Sequence, residues 1–336
     1  MFSLILVLLF INLAIFLNFK KFAEIINVYD APDKKLKLHK KKTPILGGLI
    51  LIINYSIYLL FQLLFSDNFL SIPKKIFNIE GYLSILILIF GFFILGFYDD
   101  KNKLAPKNKL FFSILLILVS ILLNQNLILN SFSLTIFTNK VFLNSFSITF
   151  TIFCIILLIN ALNFFDGING QSCIFFIIVF SFLFFKSEMN YFYLLSILLI
   201  LFILFLNLMN KLFLGDGGIF LMGIIASISL ILEHNVQNNI VYVDEIFFLL
   251  LLPGIDLIRL TIIRVFKGRN AFFGDRNHIH HLLVNKFSIF YTNLILIFVS
   301  LIPIIMFLFL ELNFFIVFFI FLILYIFIIS TLRSHG

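Results

Sequence analysis

Charged residues make up only 12% of this 336-residue chain, whereas 62% are hydrophobic and the mean hydropathy is +1.17. That much apolar surface cannot be hidden inside one water-soluble globule, and apolar runs of roughly 17 to 23 residues match the thickness of a bilayer core. A soluble domain is therefore excluded, and a polytopic membrane protein is expected. Cysteine is nearly absent: Cys154 and Cys173 stand in or near apolar segments without CxxC or metal-like spacing, so they read as packing residues, not as a disulfide framework or zinc site. No basic region precedes the first apolar run, Phe2 to Leu17, and no small-residue cleavage site is present, while Lys20 and Lys21 follow it. Such a run reads as a retained helix whose N-terminus faces away from the cytoplasm. No repeat of about 20 to 50 residues occurs, and the 50 phenylalanines read as compositional bias at lipid-facing positions. The formal net charge is +8, but lysines flanking membrane segments are explained by topology and anionic headgroups, which excludes nucleic acid as the partner and leaves membrane lipids.

Apolar runs read against polar interruptions predict an all-α integral membrane protein, one domain over 1–336. About eleven transmembrane helices are expected, near 2–18, 44–65, 81–98, 109–124, 141–162, 172–185, 190–207, 217–232, 245–264, 288–310 and 313–332. The loops that follow odd-numbered helices, with the C-terminus, hold 20 of the 24 Lys and Arg residues. Lys74, Lys75, Lys140 and Lys186 fall on the other side. The positive-inside rule places the first set in the cytoplasm and the N-terminus outside.

Every cluster of reactive side chains falls on that same face. The first loop carries Asp30, Asp33, His39 and Gly47-Gly48, the second Asp99-Asp100, and the third "NALNFFDGINGQS". The fourth carries "LGDGGIFLMG" with Asp216, and the fifth "GDRNHIHHLL" with Asp275, Arg276, His278, His280 and His281. The outer loops hold no Gly-rich turn and no His cluster, so an active site on the cytoplasmic face is expected. Asp99, Asp100, Asp166 and Asp216 offer the hard oxygen ligands that Mg2+ prefers, and a cation would offset repulsion within the Asp pair. Gly167, Gly170, Gly215, Gly217 and Gly218 allow close backbone approach, and helix N-termini after such turns can present N–H groups to phosphate. Lys101, Lys103, Lys107, Lys109, Arg269, Arg276 and the three histidines can neutralise a diphosphate.

Plainer readings stand beside these. An Asp-Asp pair at a helix end is often a solvated turn, and Asn160, Asn163 and Asn169 suit turns and caps. The histidines lack a Cys or fourth His to complete a zinc shell. Asp256, among apolar residues, needs a partner, and Arg259 at i+3 makes a structural ion pair the favoured reading. A cation or metabolite transporter is the rival of another class. It predicts repeats and ionisable residues near the membrane midplane.

Together the motifs resemble the polyprenyl-phosphate N-acetylhexosamine-1-phosphate transferase family. "DAPDKKLKLHKKKTPILGG" is similar to its DxPDxRKxHxxPTPxxGG opening, "DDKNKLAPKNKL" to DDxxxLxPxxKL, and "NALNFFDGING" to NxxNxxDGxDG. "GDGGIFLMG" resembles GDxGSxxxG, and "DRNHIHHLL" the DRxHxHHxL of the bacterial GlcNAc-1-phosphate branch, whose eleven helices also fit. Asn169 replaces a second Asp, and Lys34-Lys35 an acidic or polar residue and Arg. The resemblance implies transfer of an N-acetylhexosamine 1-phosphate from a UDP-N-acetylhexosamine to undecaprenyl phosphate, releasing UMP. That would be the first lipid-linked step of a cell-surface glycan such as lipopolysaccharide O-antigen, in a bacterial plasma membrane. The peptidoglycan branch, a phospho-MurNAc-pentapeptide transferase, is the alternative. The implied cofactor is Mg2+, with Mn2+ as its substitute, and a homodimer is compatible, although no residue pattern specifies the oligomeric state. By the same resemblance Asp99, Asp100 and Asp216 are catalytic, with Asp99 as base or phosphate-orienting group. Asp216 and Asn163 hold metal, and Asn169 contacts uracil. Lys103, Lys109, Asp166, Arg276, His278, His280, His281 and His39 complete the substrate site.

Overall fold

The computed structural model of the chain describes residues 2–32, 42–65, 68–69, 72–73, 78–136, 139–187, 190–235, 241–268 and 277–333. His39 and Arg276, with Asp33, Lys34, Lys35, Lys74, Lys75, Arg269 and Asp275, lie outside the described residues.

The long apolar segments are helical, as their composition requires in a medium that leaves backbone groups no partner but each other. Eight helices are long and apolar enough to cross a membrane: α3 (Gly47–Phe65), α4 (Ile79–Asn102), α5 (Pro106–Leu123), α6 (Ser147–Phe165), α8 (Tyr191–Leu208), α9 (Gly215–Asn235), α13 (Ile289–Leu308) and α14 (Phe314–Arg333). Two bent pairs raise the count to ten: α1 (Phe2–Leu17) with α2 (Phe19–Ile26), at 79°, and α10 (Val243–Leu249) with α11 (Leu251–Phe266), at 68°. The remaining expected segment is α7 (Gln171–Lys186), 16 residues and so about 24 Å long, short for a straight crossing. The protein is thus an all-helical polytopic membrane protein with eight to ten candidate spans among the described residues. A six-residue helix, α12 (Ile279–Val284), two 3-10 turns (Gln125–Leu127 and Asn144–Phe146) and three ladders of two-residue strands complete the described elements: β1 (Tyr29–Asp30) with β2 (Thr43–Pro44), β3 (Asn68–Phe69) with β4 (Ile72–Pro73), and β5 (Ser131–Phe132) with β6 (Val141–Phe142).

Helix α9 is the central post. Of its most apolar stretch, 89% is buried, with α4, α3 and α6 as its main neighbours. Small residues let backbones meet at its N-terminal end. A Cβ on Gly48 would stand 2.5 Å from the Gly218 nitrogen, and one on Gly96 would stand 2.4 Å from the Asp216 carbonyl oxygen. Hydrogen bonds from Phe213 N to Pro44 O (2.9 Å), Gly47 N to Phe213 O (3.0 Å) and Gly48 N to Leu214 O (3.1 Å) then bind the first loop to the start of α9.

The stretch after α4 folds as a tight helical hairpin. Lys103 takes the left-handed conformation (φ 49°) and returns its N–H to Asp99 O at 2.9 Å, ending the helix. Pro106 opens α5, where its missing N–H costs nothing. This turn sets Lys109, in the first turn of α5, opposite Asp99.

Candidate active site

The two neighbouring aspartates face different partners, because successive residues on a helix point about 100° apart. Asp99 accepts a hydrogen bond from the Leu104 N–H (2.6 Å) and forms an ion pair with Lys109 Nζ at 2.5 Å. Asp216, in the first turn of α9, lies 3.1 Å from the same ammonium, and its other oxygen accepts from Asn163 Nδ2 at 2.8 Å. One lysine therefore bridges two carboxylates 117 positions apart in sequence. Asp100 instead accepts the Asp216 and Gly217 N–H groups, one on each oxygen and both at 2.9 Å. This corrects the expectation that the turn before α9 offers these N–H groups to a ligand phosphate. The positive end of the helix attracts the nearest anion, and that anion is the protein's own.

Asp99, Asp100 and Asp216 border a cavity of about 470 Å³, lined also by Asp30, Lys103, Asp166, Asn169, Asn207, Asn210 and His281. Asp166 is open to the cavity yet surrounded by protein, and this desolvation raises its carboxyl to about 6, opposed by a 2.7 Å hydrogen bond from Ser172 Oγ. At another wall three asparagines converge. Asn169 Nδ2 donates to Asn210 Oδ1 (2.7 Å) and to the Asn207 carbonyl (3.2 Å), and Asn207 Oδ1 accepts the Gly170 N–H at 2.6 Å. Gly170 needs its freedom here, with φ at 89°. Asn207 and Asn210 escaped the sequence reading, although their N-x-x-N spacing at the end of an apolar run repeats that of Asn160 and Asn163.

The three histidine rings lie side by side, with centroids 5.5 Å apart for His278 and His280 and 4.2 Å for His280 and His281, but they differ in access to the cavity. His281 reaches the cavity wall, whereas His278 and His280 are 3% and 0% exposed and do not line it. His278 Nδ1 lies 2.7 Å from Asp256 Oδ2. His280 packs on Gly167, where an added Cβ would stand 1.9 Å from the ring nitrogen, and its Nδ1 is 3.2 Å from Gln171 Nε2. Burial, then the neighbouring His281 and His278, hold the His280 imidazole well below its ordinary titration range, so it is neutral near pH 7.

No cage of three or more His, Cys, Asp or Glu side chains exists among the described residues. Mg2+ does not require one: it is commonly held by one or two carboxylates and completes its shell with water and substrate phosphate. The Lys109 ammonium between Asp99 and Asp216 shows that this spot favours a cation, and Asn163 adds an amide whose oxygen and nitrogen can exchange places. These residues fit Mg2+ bound together with substrate.

Residues 82–233, which contain Asp99, Lys109, Asn163 and Asp216, match the sequence profile of Glycosyl transferase family 4. The chain is 26% identical over 296 residues to the undecaprenyl-phosphate alpha-N-acetylglucosaminyl 1-phosphate transferase of Escherichia coli O157:H7, covering 84% of this chain and 76% of that protein. It is 28% identical over 261 residues to the phospho-N-acetylmuramoyl-pentapeptide-transferase of Staphylococcus carnosus, covering 71% and 77%. The Streptococcus pneumoniae (strain Hungary19A-6) protein of the same name is 29% identical over 256 residues, covering 70% and 74%. Five motifs in order, a carboxylate pair bridged by one lysine and these similarities agree: over residues 82–233 the chain is similar to glycosyl transferase family 4, and it is a distant homologue of both kinds of sugar-1-phosphate transferase.

Proposed function

We propose that the protein transfers an N-acetylhexosamine 1-phosphate from a UDP-sugar to undecaprenyl phosphate at the cytoplasmic face of a bacterial plasma membrane. The observation that carries this reading is the Asp99–Lys109–Asp216 cluster at a polar cavity bounded by helix ends. A lipid phosphate can reach such a place from the bilayer, and a nucleotide sugar from water. A transporter would hold its charged groups near mid-span, whereas Asp99 and Asp216 occupy the last and first turns of their helices.

In the transfer, an oxygen of the lipid phosphate forms a bond to the sugar-bearing phosphorus of the donor, the bond to the uridine-bearing phosphate breaks, and UMP departs with that electron pair. Asp99 orients the attacking phosphate and takes its proton if one is present. Lys103, Lys109 and His281 offset charge on the diphosphate. Asp100 holds the start of α9 so that Asp216 faces Asp99. Asn169, Asn207 and Asn210 supply amide groups for the hydrogen-bonding edge of uracil. Asp216, with Asn163, would hold Mg2+, which supplies charge neutralisation at the transferring phosphoryl group.

The MurNAc-pentapeptide donor is the second reading, favoured by the 28–29% identities to enzymes of that name. The longer match of 296 residues to the N-acetylglucosaminyl enzyme supports the smaller donor. Membranes containing the protein, given undecaprenyl phosphate and each of UDP-GlcNAc, UDP-GalNAc and UDP-MurNAc-pentapeptide, should release UMP and form a lipid-linked product with one of the first two. Product from the pentapeptide donor alone would select the second reading, and no UMP from any donor would refute both.

A further inference from the structure

Only one histidine of the "HIHH" turn lines the cavity, so something must fix the turn in that orientation. The anchor is on another helix. Asp256 of α11, 1% exposed, accepts from Arg259 Nη2 (2.8 Å), His278 Nδ1 (2.7 Å) and the Tyr325 hydroxyl (2.7 Å), and more distantly from the Ile279 N–H (3.3 Å). These donors come from α11, α14 and the start of α12, so one carboxylate ties three elements together. The tautomer of His278 follows from its other side. Arg264 Nη2 lies 3.3 Å from His278 Nε2, and a guanidinium can only donate, so Nε2 accepts and Nδ1 carries the proton given to Asp256. The His278 ring also stacks on Phe164 at 5.8 Å and 14°, one residue from the Asn163 that contacts Asp216.

A simple ion pair with Arg259 would satisfy a buried charge without enlisting a histidine, a tyrosine and a backbone N–H from other elements. Two of the four donors, His278 Nδ1 and the Ile279 N–H, belong to the first residues of α12, and a third, Arg259, also donates to the Asn277 carbonyl just before them. We infer that Asp256 is a positioning residue for the transfer: through His278 and the Ile279 N–H it holds the 278–281 turn so that His281 stays on the cavity wall. This rests on the reading of the cavity as a transferase site.

The test uses the full chain in detergent, comparing the parent with Asp256→Asn, Tyr325→Phe, His281→Asn and the double variant Asp256→Asn/His281→Asn. Turnover is measured by UMP release, and hydrogen exchange is followed across 278–284. Misplacing His281 by about 1 Å should lower kcat up to about 100-fold in Asp256→Asn, with a smaller loss in Tyr325→Phe. Because Asp256 acts through His281, the double variant should be no more than about twofold slower than His281→Asn alone. Exchange across 278–284 should rise in Asp256→Asn while that of α9 stays at the parent level. Losses that multiply in the double variant, an unchanged kcat, or unchanged exchange at the turn would each overturn the proposal. If the parent releases no UMP with any donor, the transferase reading fails, and the exchange data alone decide whether Asp256 holds the turn. Should Asp256→Asn not insert, Tyr325→Phe, alone and combined with His281→Asn, is held to the same criteria.

Discussion

At the scale of single residues, the Asp-Asp pair is a division of labour. Like charges on adjacent residues repel, but here each carboxylate has its own compensation: an ammonium for Asp99 and two backbone N–H groups for Asp100. Changing each to Asn keeps size and removes charge, so the consequences should differ. Asp99→Asn and Asp216→Asn are expected to lower turnover by about 10²- to 10⁴-fold, the range for loss of a general base or its equivalent. Asp216→Asn should also raise the Mg2+ concentration needed for half-maximal rate. Asp100→Asn leaves one acceptor where two N–H groups need one each, and should lower the thermal midpoint in detergent as well as the rate. Glu311→Gln, on the exposed loop between α13 and α14, is the control. UMP release within about twofold of the parent for both Asp99→Asn and Asp216→Asn would remove these residues from the chemistry.

At the scale of elements, the glycines at the site serve backbone contact. Gly96 and Gly48 sit where α4 and α3 touch α9, and a methyl group at either would press on backbone atoms that cannot rotate away. Gly96→Ala is expected to destabilise by about 1–3 kcal/mol, the usual cost of overpacking. Gly254, in α11, has no atom within 4 Å of an added Cβ, so Gly254→Ala should be neutral or stabilising by up to about 1 kcal/mol from helix propensity. Thermal unfolding in detergent distinguishes the two, and equal behaviour would remove the packing role given to Gly96. This level also shows what could be read in advance. Apolar runs located the long helices to within a few residues, since hydrophobicity over a bilayer length is a local property. The expected helix over 245–264 breaks between Leu249 and Leu251, where Pro253 cannot donate the N–H that would continue the first helix. The residue types of the site were legible because phosphate and metal chemistry draws on few side chains. Which aspartate meets Lys109, and which histidine meets the cavity, were not, because both depend on helix phase and on Asp256, a residue whose ion pair with Arg259 was expected but whose hold on His278 was not.

At the scale of the whole molecule, the open matter is which side of the membrane the cavity faces. Helix count alone does not decide it, since eight, ten or eleven crossings place the C-terminus differently relative to the first loop. The charge distribution gives the expectation: in the eleven-helix reading 20 of 24 Lys and Arg residues share the loops that also carry the site motifs, and the positive-inside rule then predicts that face to be cytoplasmic. Lys103 and Lys109 would then serve twice, holding the α4–α5 turn in the cytoplasm and meeting phosphate there. Asn102 is exposed at the end of α4, beside the site, and Glu311 is exposed between α13 and α14, at the other ends of the helices. A cysteine introduced at Asn102 should therefore react with a membrane-impermeant thiol reagent only after cells are opened, whereas one at Glu311 should react in intact spheroplasts. The parent, whose Cys173 is buried and whose Cys154 is half-buried, gives the background. The reverse pattern would put the cavity outside, away from any cytoplasmic nucleotide sugar, and would sink the proposed reaction together with the topology.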